Sequence, residues 1–320
     1  MNPQPALAAA ASTDIIGMRR HVTAILADVS RLMRPRIALM VLATVVTAFW
    51  ITGGGRGDAV HLVGLLVGTA LVAASSSIAN QILERHTDRL MPRTARRPLV
   101  TGGLTSRAGW ILTAATLVAG TLLATVSAGW PAAAAAVATW LLYVVLYTPL
   151  KRLTPLNTAV GAVAGALPVA IGWLAADGPA RLAAGDAASA LTAAALATVL
   201  YLWQFPHFMA IAWLYRGQYA AAGLRMLTVD DPSGLRAAGQ SLAAALAMVP
   251  VSLVLAVPSG SIRLFLAAAV ASIVYGGAAV RFAVRRDDAS ARILLLVSLG
   301  SLLALLTATV LFGQPRPPLS

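Results

Sequence analysis

The chain has no cysteine and very little charge. Of its 320 residues, 11% are charged and 6% are aromatic. Without cysteine, neither disulfide bonds nor cysteine-ligated metal or haem centres are available. Hydrophobic residues make up 59% of the sequence, and the mean hydropathy is +0.80. This composition excludes a soluble globular domain and predicts an integral membrane protein.

Acidic residues are scarcer than basic ones: 11 Asp and Glu stand against 24 Lys and Arg, a net charge of +13. Such a surplus could indicate nucleic-acid binding, but its placement is asymmetric. If the N-terminal arm is cytoplasmic, 20 of the 24 basic residues fall on the cytoplasmic side of the predicted spans and four on the other. The positive-inside rule accounts for such a bias. The charge therefore predicts a topology, with a cytoplasmic N-terminus and a C-terminus outside, and no nucleic acid.

Nine apolar segments each approach the roughly 20 residues that a helix needs to cross a bilayer. They cover residues 37–54, 60–83, 108–128, 131–148, 157–176, 187–214, 239–257, 262–284 and 293–312. We predict an all-α bundle of nine transmembrane helices around a central cavity, with a polar cytoplasmic cap. Residues 31–312 form its single domain. Residues 1–30 are expected to be a mobile tail and interfacial segment, and residues 313–320 a C-terminal tail.

The polar stretch of residues 80–98, after the second span, carries the strongest chemical signal. Asn80, Glu84 and Asp88 are four residues apart, so on a helix they form one column of oxygen-bearing side chains. Pro92 disfavours further helix, and three arginines follow it within five residues. Carboxylates bind hard cations, and guanidinium groups bind phosphate oxygens. The stretch predicts a magnesium-bridged polyphosphate site; the alternative is a loop whose arginines only fix the topology.

Two more polar segments, residues 147–157 and 203–227, fall on the predicted cytoplasmic side. The second begins inside the sixth predicted span, where Pro206 removes a backbone donor beside His207. His207 is the only histidine deep in a predicted span. A polar cap above an apolar cavity suits a substrate with a charged head and a long apolar tail.

These segments resemble three motifs of the protoheme IX farnesyltransferases (haem O synthases), a branch of the UbiA-type intramembrane prenyltransferases. The first motif is similar to residues 80–98, the second to residues 147–157, and the third to residues 203–208 and 219–227. The resemblance extends over about residues 31–312. Two departures stand out. Glu84 and His86 replace aspartates of the first motif, and Gly217 and Gln218 replace an acidic pair before the tyrosine of the third.

The resemblance implies transfer of a farnesyl group from farnesyl diphosphate to a vinyl group of haem b, which makes haem O for haem–copper oxidases. It implies Mg²⁺, a bacterial inner (cytoplasmic) membrane, and partners that include haem A synthase or oxidase assembly factors. The metal ligands it implies are Asn80, Glu84 and Asp88. The diphosphate ligands it implies are Arg93, Arg97, Lys151 and Arg152. Further substrate contacts it implies are Tyr147, Asn157, Trp203, Gln204, His207, Arg216 and Tyr219.

Other interpretations stay open. The acceptor could be a quinone-type aromatic ring, or the chain could be a non-catalytic haem-handling paralogue, because Gly217 and Gln218 remove two negative charges. His207 could contact haem, by its iron or by a propionate, or simply pack against a freed backbone carbonyl. The aromatic residues Trp140, Tyr143 and Tyr147 could shield an allylic cation or only pack. Asp230 and Asp231 could fold back and replace the missing acids.

Overall fold

A computed structural model describes residue 28 and residues 32–53 and 59–314. Nearly all of the predicted N-terminal tail and residues 315–320 of the C-terminal tail lie outside these ranges. The described ranges are helical and contain no strand. Eight helical segments in them are long and apolar enough to cross a membrane, so the protein is an integral, multi-pass membrane protein. They are α1 Pro35–Gly53, α2 Ala59–Leu83, α3 Ser106–Leu150, α4 Asn157–Ala175, α5 Ala187–Leu214, α6 Leu235–Val254, α7 Ile262–Arg285 and α8 Asp288–Phe312.

The segment α3 is a helical hairpin. Its 45 residues would extend about 68 Å as a straight helix, over twice the roughly 30 Å of a bilayer core. At Gly129 the backbone leaves the helix, with φ 80° and ψ 162°, a conformation essentially confined to glycine. Ser75 Oγ on α2 donates to the Thr113 carbonyl at 2.8 Å and accepts from Trp140 Nε1 at 3.0 Å. On one straight helix Thr113 and Trp140 would lie about 40 Å apart.

The two arms of α3 therefore lie side by side against α2. The predicted count of nine helices is not confirmed exactly: the described residues contain eight long helical segments, and one of them, α3, folds back on itself. The break at Gly129 coincides with the gap that the sequence predicts between residues 128 and 131. Helix resumes directly after Gly129, and the second arm contains a π-helical turn at Leu142–Tyr147 near its end.

Small residues bring α2 and α3 into backbone contact. A Cβ atom on Gly68 would lie 2.8 Å from both the Gly120 carbonyl oxygen and the Ala124 nitrogen. Such close approach is how helices associate in lipid, where no hydrophobic driving force draws them together. The opposite half of the bundle, α5 to α8, shares a larger apolar core that includes the fully buried Tyr275 and Phe282. This packing fixes the ends of the helices from which the polar segments extend.

The three polar segments meet at one end of the bundle. The first contains the short helices Arg85–Arg89 and Pro98–Thr101, and the third contains Arg216–Ala221 and Leu227–Asp230. The backbone N–H of Arg225 donates to the Lys151 carbonyl at 2.7 Å, and Asn157 Nδ2 donates to the Arg225 carbonyl at 3.1 Å. These bonds join the second segment to the third. A further short helix, Gly178–Ala183, follows α4.

Candidate active site

The predicted column of oxygen-bearing side chains is present where α2 ends. Helical hydrogen bonds continue past the end of α2, from Glu84 N to the Asn80 carbonyl at 2.9 Å and from Asp88 N to the Glu84 carbonyl at 2.8 Å. The three side chains therefore share one face. All three residues are buried: Asn80 is 0%, Glu84 8% and Asp88 1% exposed. Buried carboxylates must be paired or bind a cation.

Each carboxylate of the column pairs with a cation from a different part of the chain. Glu84 Oε1 accepts from Lys151 Nζ at 2.7 Å, and Asp88 Oδ2 accepts from Arg97 Nη1 in a short ion pair. The first pair joins the first polar segment to the second, and the other closes the turn that follows Pro92. Arg97 and Lys151 are thus parts of a buried ionic cluster, which the topology-only interpretation of these residues does not predict.

The two carboxylates respond differently to this setting. Burial would raise the pKa of Glu84, but Lys151, with Arg34 and Arg97, brings it below the usual value. For Asp88, burial outweighs the attraction of Arg97, and the pKa is raised. Burial opposes the charge on Lys151, yet Glu84 holds its pKa above the usual range. The Glu84–Lys151 pair is therefore firmly ionised, and Asp88 is the more easily protonated acid.

Two oxygens of the column are left without a partner. Thr148 Oγ1 donates to the Tyr143 carbonyl at 2.8 Å, so it accepts from Asn80 Nδ2 at 3.1 Å. That bond fixes the amide and leaves Asn80 Oδ1 buried and unbonded; Asp88 Oδ1 is buried and unbonded too. An unsatisfied buried oxygen costs about 1–3 kcal/mol, and a pair of them on one face indicates a ligand.

These donors fit Mg²⁺. No group of three or more His, Asp or Glu side chains that could hold a metal occurs in the described part of the chain. Mg²⁺, however, is usually held by one or two carboxylates together with waters and substrate phosphates. Asn80 Oδ1, Asp88 Oδ1 and the Glu84 carboxylate make up such a set. In the third segment, the Oε1 of Gln218 is also buried without a partner, while Gly217 is exposed and faces open space.

Aromatic rings surround the cations of the cluster. Arg93 Nη2 donates to the Tyr219 hydroxyl at 2.7 Å, and its guanidinium lies 4.6 Å from the centre of the Tyr215 ring. Lys151 Nζ lies 4.3 Å from the centre of the Tyr147 ring. The electron-rich faces of these rings hold the cations without neutralising them. Tyr147 therefore contacts the cluster through Lys151, whereas Arg93 is exposed and contacts Tyr215 and Tyr219; the substrate roles of these residues stay predictions.

Glycines and one tryptophan shape this end of the bundle. A Cβ atom on Gly161 would lie 2.7 Å from the Tyr147 ring, and one on Gly165 would lie 2.0 Å from Gln204 Oε1. The absence of side chains at these glycines thus makes room for both residues. Trp140 packs, because its indole nitrogen is used by Ser75.

Several predicted residues lie elsewhere. Arg216 donates to Asp288 at 2.9 Å and lies over the Trp213 ring, so the structure does not bring it into the cluster. Its acidic partner is 72 residues away in sequence and could not be recognised from spacing. Arg152 is exposed and makes no side-chain hydrogen bond or ion pair within the described residues. The two hypothesised substitute acids are also engaged: Asp230 pairs with Arg225 at 3.0 Å, and Asp231 caps its own turn through Ser233.

Two further predicted residues serve as internal braces in the structure. Asn157 Nδ2 donates to the carbonyls of Thr154 and Arg225, and Gln204 Nε2 donates to those of Ala162 and Leu200. Asn157 therefore ties polar segments together, and Gln204 ties α5 to α4.

A second site lies between α5, α7 and α8. The Trp203 and His207 rings stack with centroids 4.7 Å apart. Trp203 Nε1 donates to the Ser298 carbonyl at 2.7 Å, and His207 Nδ1 lies 2.8 Å from Ser298 Oγ. Ser298 Oγ donates its only proton to the Leu295 carbonyl at 2.6 Å. Both bonds are satisfied together when Ser298 Oγ accepts from His207, and in that tautomer Nδ1 carries the proton and Nε2 has the lone pair.

Arg34 is the functional candidate that sequence reasoning missed. It counts there only as a topology-fixing charge, and its one local signal is its place directly before Pro35 at the start of α1. In the structure its Nη1 donates to the Tyr143 hydroxyl at 3.5 Å, and its Nη2 is buried without a partner. Thr148, which orients Asn80, was also not singled out.

The fold and the site define a class: a multi-pass helical membrane protein with a buried ionic cluster, suited to an anionic head group, at one end. The chain belongs to the UbiA prenyltransferase family, whose model matches residues 41–312. The family predicted from the three motifs is confirmed.

Two similar sequences carry the same name. The protoheme IX farnesyltransferase of Rhodopirellula baltica is 44% identical over 225 residues, which is 70% of this chain and 76% of the relative. That of Solibacter usitatus is 35% identical over 285 residues, 85% of this chain and 93% of the relative.

Solved structures share the fold. A digeranylgeranylglyceryl phosphate synthase aligns with a TM-score of 0.71 and 14% identity over 90% of this chain and 98% of that one. A UbiA homologue from Archaeoglobus fulgidus, bound to GPP and Mg²⁺, aligns with a TM-score of 0.63 and 17% identity over 88% and 99%.

Proposed function

We propose that the protein transfers the farnesyl group of farnesyl diphosphate to a vinyl group of haem b and so makes haem O. The observation that carries the proposal is the pair of orphaned oxygens, Asn80 Oδ1 and Asp88 Oδ1, beside the cations Arg97 and Lys151. The names of the similar bacterial sequences support the identity of donor and acceptor. The apolar interior of the bundle suits the farnesyl tail.

We assign Mg²⁺ to Asn80, Glu84 and Asp88; when bound there it would neutralise charge on the departing diphosphate. The A. fulgidus homologue, which has the same fold, is bound to GPP and Mg²⁺, and this supports the assignment. Arg93, Arg97 and Lys151 hold the diphosphate oxygens in this proposal, the last two by exchanging their carboxylate partners for phosphate. Gly217 and Gln218 supply no charge, so metal binding rests mainly on the column.

The reaction balances without any redox partner. The bond between farnesyl C1 and oxygen breaks, and the diphosphate leaves with the electron pair. The vinyl group then attacks C1, water adds to the remaining carbon of the vinyl group, and a proton is released. The Tyr147 ring, which lies under Lys151, can face the allylic cation and stabilise it through its quadrupole.

For the acceptor we propose that His207 contacts the haem iron through Nε2. The tautomer set by Ser298 leaves Nε2 with a lone pair, which can bind a metal but cannot donate to a propionate. Fixing the far nitrogen of a ligating histidine is the usual way in which a protein orients such a ring. Trp203 restrains the ring further by stacking on it.

The proposed location is a bacterial inner membrane, with the ionic cluster on the cytoplasmic side. Reporter fusions after residues 97, 152, 234 and 288 should then report the cytoplasm, and fusions after residues 54, 178 and the C-terminus the opposite side. A cytoplasmic C-terminus would contradict an odd number of passes. Haem A synthase or oxidase assembly factors remain predicted partners.

Expression in a host that lacks haem O tests the function. Extraction of the pigments and mass analysis should detect haem O with the wild-type chain and none with Asp88→Asn. A non-catalytic paralogue, which the neutral residues Gly217 and Gln218 favour, would leave haem b unmodified with both chains. A prenylated quinone precursor in place of haem O would instead establish the other acceptor.

A further inference from the structure

Arg34 is a half-buried cation outside the predicted motifs, and its buried nitrogen Nη2 has no hydrogen-bond partner. It precedes α1, and its φ of 49° lies in the left-handed region that non-glycine residues rarely adopt. Nη1 makes one long hydrogen bond, 3.5 Å to the Tyr143 hydroxyl, and Nη2 is buried with no partner. A guanidinium that served only the fold would be expected to have its buried N–H groups satisfied.

A continuous set of contacts leads from Arg34 to the ionic cluster. The Tyr143 ring lies 5.3 Å from the Tyr147 ring, centre to centre. Lys151 Nζ lies 4.3 Å from the Tyr147 ring and 2.7 Å from Glu84 Oε1. In agreement with this proximity, burial together with the charge of Arg34 lowers the pKa of the Arg97 guanidinium.

The charges of the cluster do not cancel. Arg34, Arg97 and Lys151 bring three positive charges, and Glu84 and Asp88 bring two negative ones, a surplus of one. The two ion pairs use Arg97 and Lys151. Arg93 is hydrogen bonded to a neutral hydroxyl. Arg34 therefore has a buried donor, Nη2, without a partner, and this nitrogen can donate to an anion.

We infer that Arg34 binds the diphosphate head of the prenyl donor, as a cation supplied from before the first span and not from the three polar segments. This inference rests on the proposed function, because the ligand is the donor proposed there. An anionic oxygen is the chemistry that the site recognises, and a haem propionate also offers one. The contacts that lead from Arg34 through Tyr143 and Tyr147 to Lys151 favour the diphosphate.

Three variants of the purified full-length protein in nanodiscs test the inference: Arg34→Gln, Arg34→Lys and, as the control, Arg36→Gln. Arg36 carries the same charge two residues away but is exposed. The first measurement is thermal stabilisation by farnesyl diphosphate with Mg²⁺ in the absence of haem. The second is a spectroscopic titration with haem alone. Neither measurement requires turnover.

Arg34→Gln should raise the half-stabilising concentration of farnesyl diphosphate on the order of tenfold to hundredfold, the usual effect of one buried charge-assisted hydrogen bond. Arg34→Lys keeps the charge but loses the fork, and a loss on the order of threefold to tenfold is expected. Arg36→Gln should stay within about twofold. Because the unliganded cluster carries surplus positive charge, Arg34→Gln should not lower the melting temperature without ligand.

Four results would overturn the inference. They are unchanged diphosphate affinity in Arg34→Gln, an equal loss in Arg36→Gln, a loss confined to haem, or a drop in unliganded stability without a change in affinity. A haem-specific loss would assign Arg34 to a propionate. If the wild type binds farnesyl diphosphate in an Arg34-dependent way but makes no haem O, the proposed function fails and the inference stands. If the wild type binds no diphosphate, both fail.

Discussion

The ionic cluster at the end of α2, here called the ionic half, and the Trp203–His207–Ser298 site, here called the neutral half, have opposite electrostatics. The column at the end of α2 is ionic: two buried carboxylates pair with Arg97 and Lys151, yet two oxygens and one guanidinium nitrogen stay unsatisfied. The site between α5 and α8 is neutral, and its Trp203–His207–Ser298 bonds leave only the lone pair of Nε2 free. This difference matches the ligands proposed for them, a diphosphate that replaces internal partners at the ionic half and the haem iron at the neutral half.

Removing a charge from the ionic half should have the largest effect. Asp88→Asn keeps the shape but removes a metal ligand and leaves Arg97 buried without a counter-charge. We expect the rate of haem O formation to fall by at least about a thousandfold and stability to fall by roughly 3 kcal/mol. Activity assays and thermal unfolding measure the two effects.

The double variant Asp88→Asn with Arg97→Gln separates these effects. It should recover most of the stability, because neither charge is left alone, and recover none of the activity. Near-normal activity in Asp88→Asn would show that the column is structural. That outcome would remove the proposed contrast between the halves.

A change in the neutral half should affect the haem and not the diphosphate. His207→Ala should weaken haem binding about a hundredfold, and Ser298→Ala about tenfold, because Ser298 acts only by orienting the ring. Ser301→Ala, on the same helix, is the matched control and should change haem affinity by less than about twofold. Absorption spectra report ligation of the iron. Weaker farnesyl diphosphate binding in His207→Ala would contradict the proposal that haem and diphosphate bind to different halves.

The sequence predicted the ionic half better than the neutral one, for physical reasons. Asn80, Glu84 and Asp88 follow a helical period, which is local information and is retained in the structure. Charge and motif single out Arg97 and Lys151 as diphosphate ligands, but their pairing with Asp88 and Glu84 is seen only in the structure. The partner of His207 is 91 residues away, and no spacing rule connects them. Arg216 pairs with Asp288 outside the cluster, and Arg34 contacts Tyr143. Neither contact follows from the sequence, because tertiary packing decides which arginine meets which partner.

The hairpin in α3 shows the reverse case. The Ala128–Gly129 turn and the apolar runs on either side are local signals, and they correctly placed a reversal there. In the structure only Gly129 leaves the helical conformation, so α3 is one helical segment although the chain folds back. The number of continuous helical segments therefore differs from the number of times that the chain crosses the membrane.

Adding negative charge to the ionic half should strengthen Mg²⁺ binding by a moderate amount. Gly217 faces open space and Gln218 Oε1 is buried without a partner, so Gly217→Asp with Gln218→Asp meets no steric barrier at Gly217. The Mg²⁺ concentration for half-maximal rate should fall about tenfold. Each single variant serves as a control for the other position. An unchanged Mg²⁺ requirement would place both residues outside the metal's reach.

A further prediction concerns pH dependence and needs no substitution. The pKa of Glu84 is lowered, so the stability from its ion pair is present above its usual pKa and is lost as pH falls through the lowered one. The pKa of Asp88 is raised, so its ionised form costs stability at neutral pH, and the cost disappears as pH falls through the raised value.

Protons should therefore compete with Mg²⁺ at Asp88 before they reach Glu84. The half-saturating Mg²⁺ concentration should rise about tenfold for each pH unit below the raised pKa of Asp88. Haem affinity at the neutral half, measured under the same conditions, serves as the internal control for acid damage. A Mg²⁺ requirement that does not change with pH would contradict the assignment of Asp88.

We propose that the buried column at the end of α2 holds the metal–diphosphate pair that drives farnesyl transfer to haem. Its most direct test is haem O formation by purified wild-type and Asp88→Asn proteins, measured by mass analysis across a Mg²⁺ titration with farnesyl diphosphate and haem b supplied. We expect Mg²⁺-dependent haem O formation by the wild type and none by the variant at any Mg²⁺ concentration. Wild-type product without divalent cation, or equal product from both proteins, would contradict it.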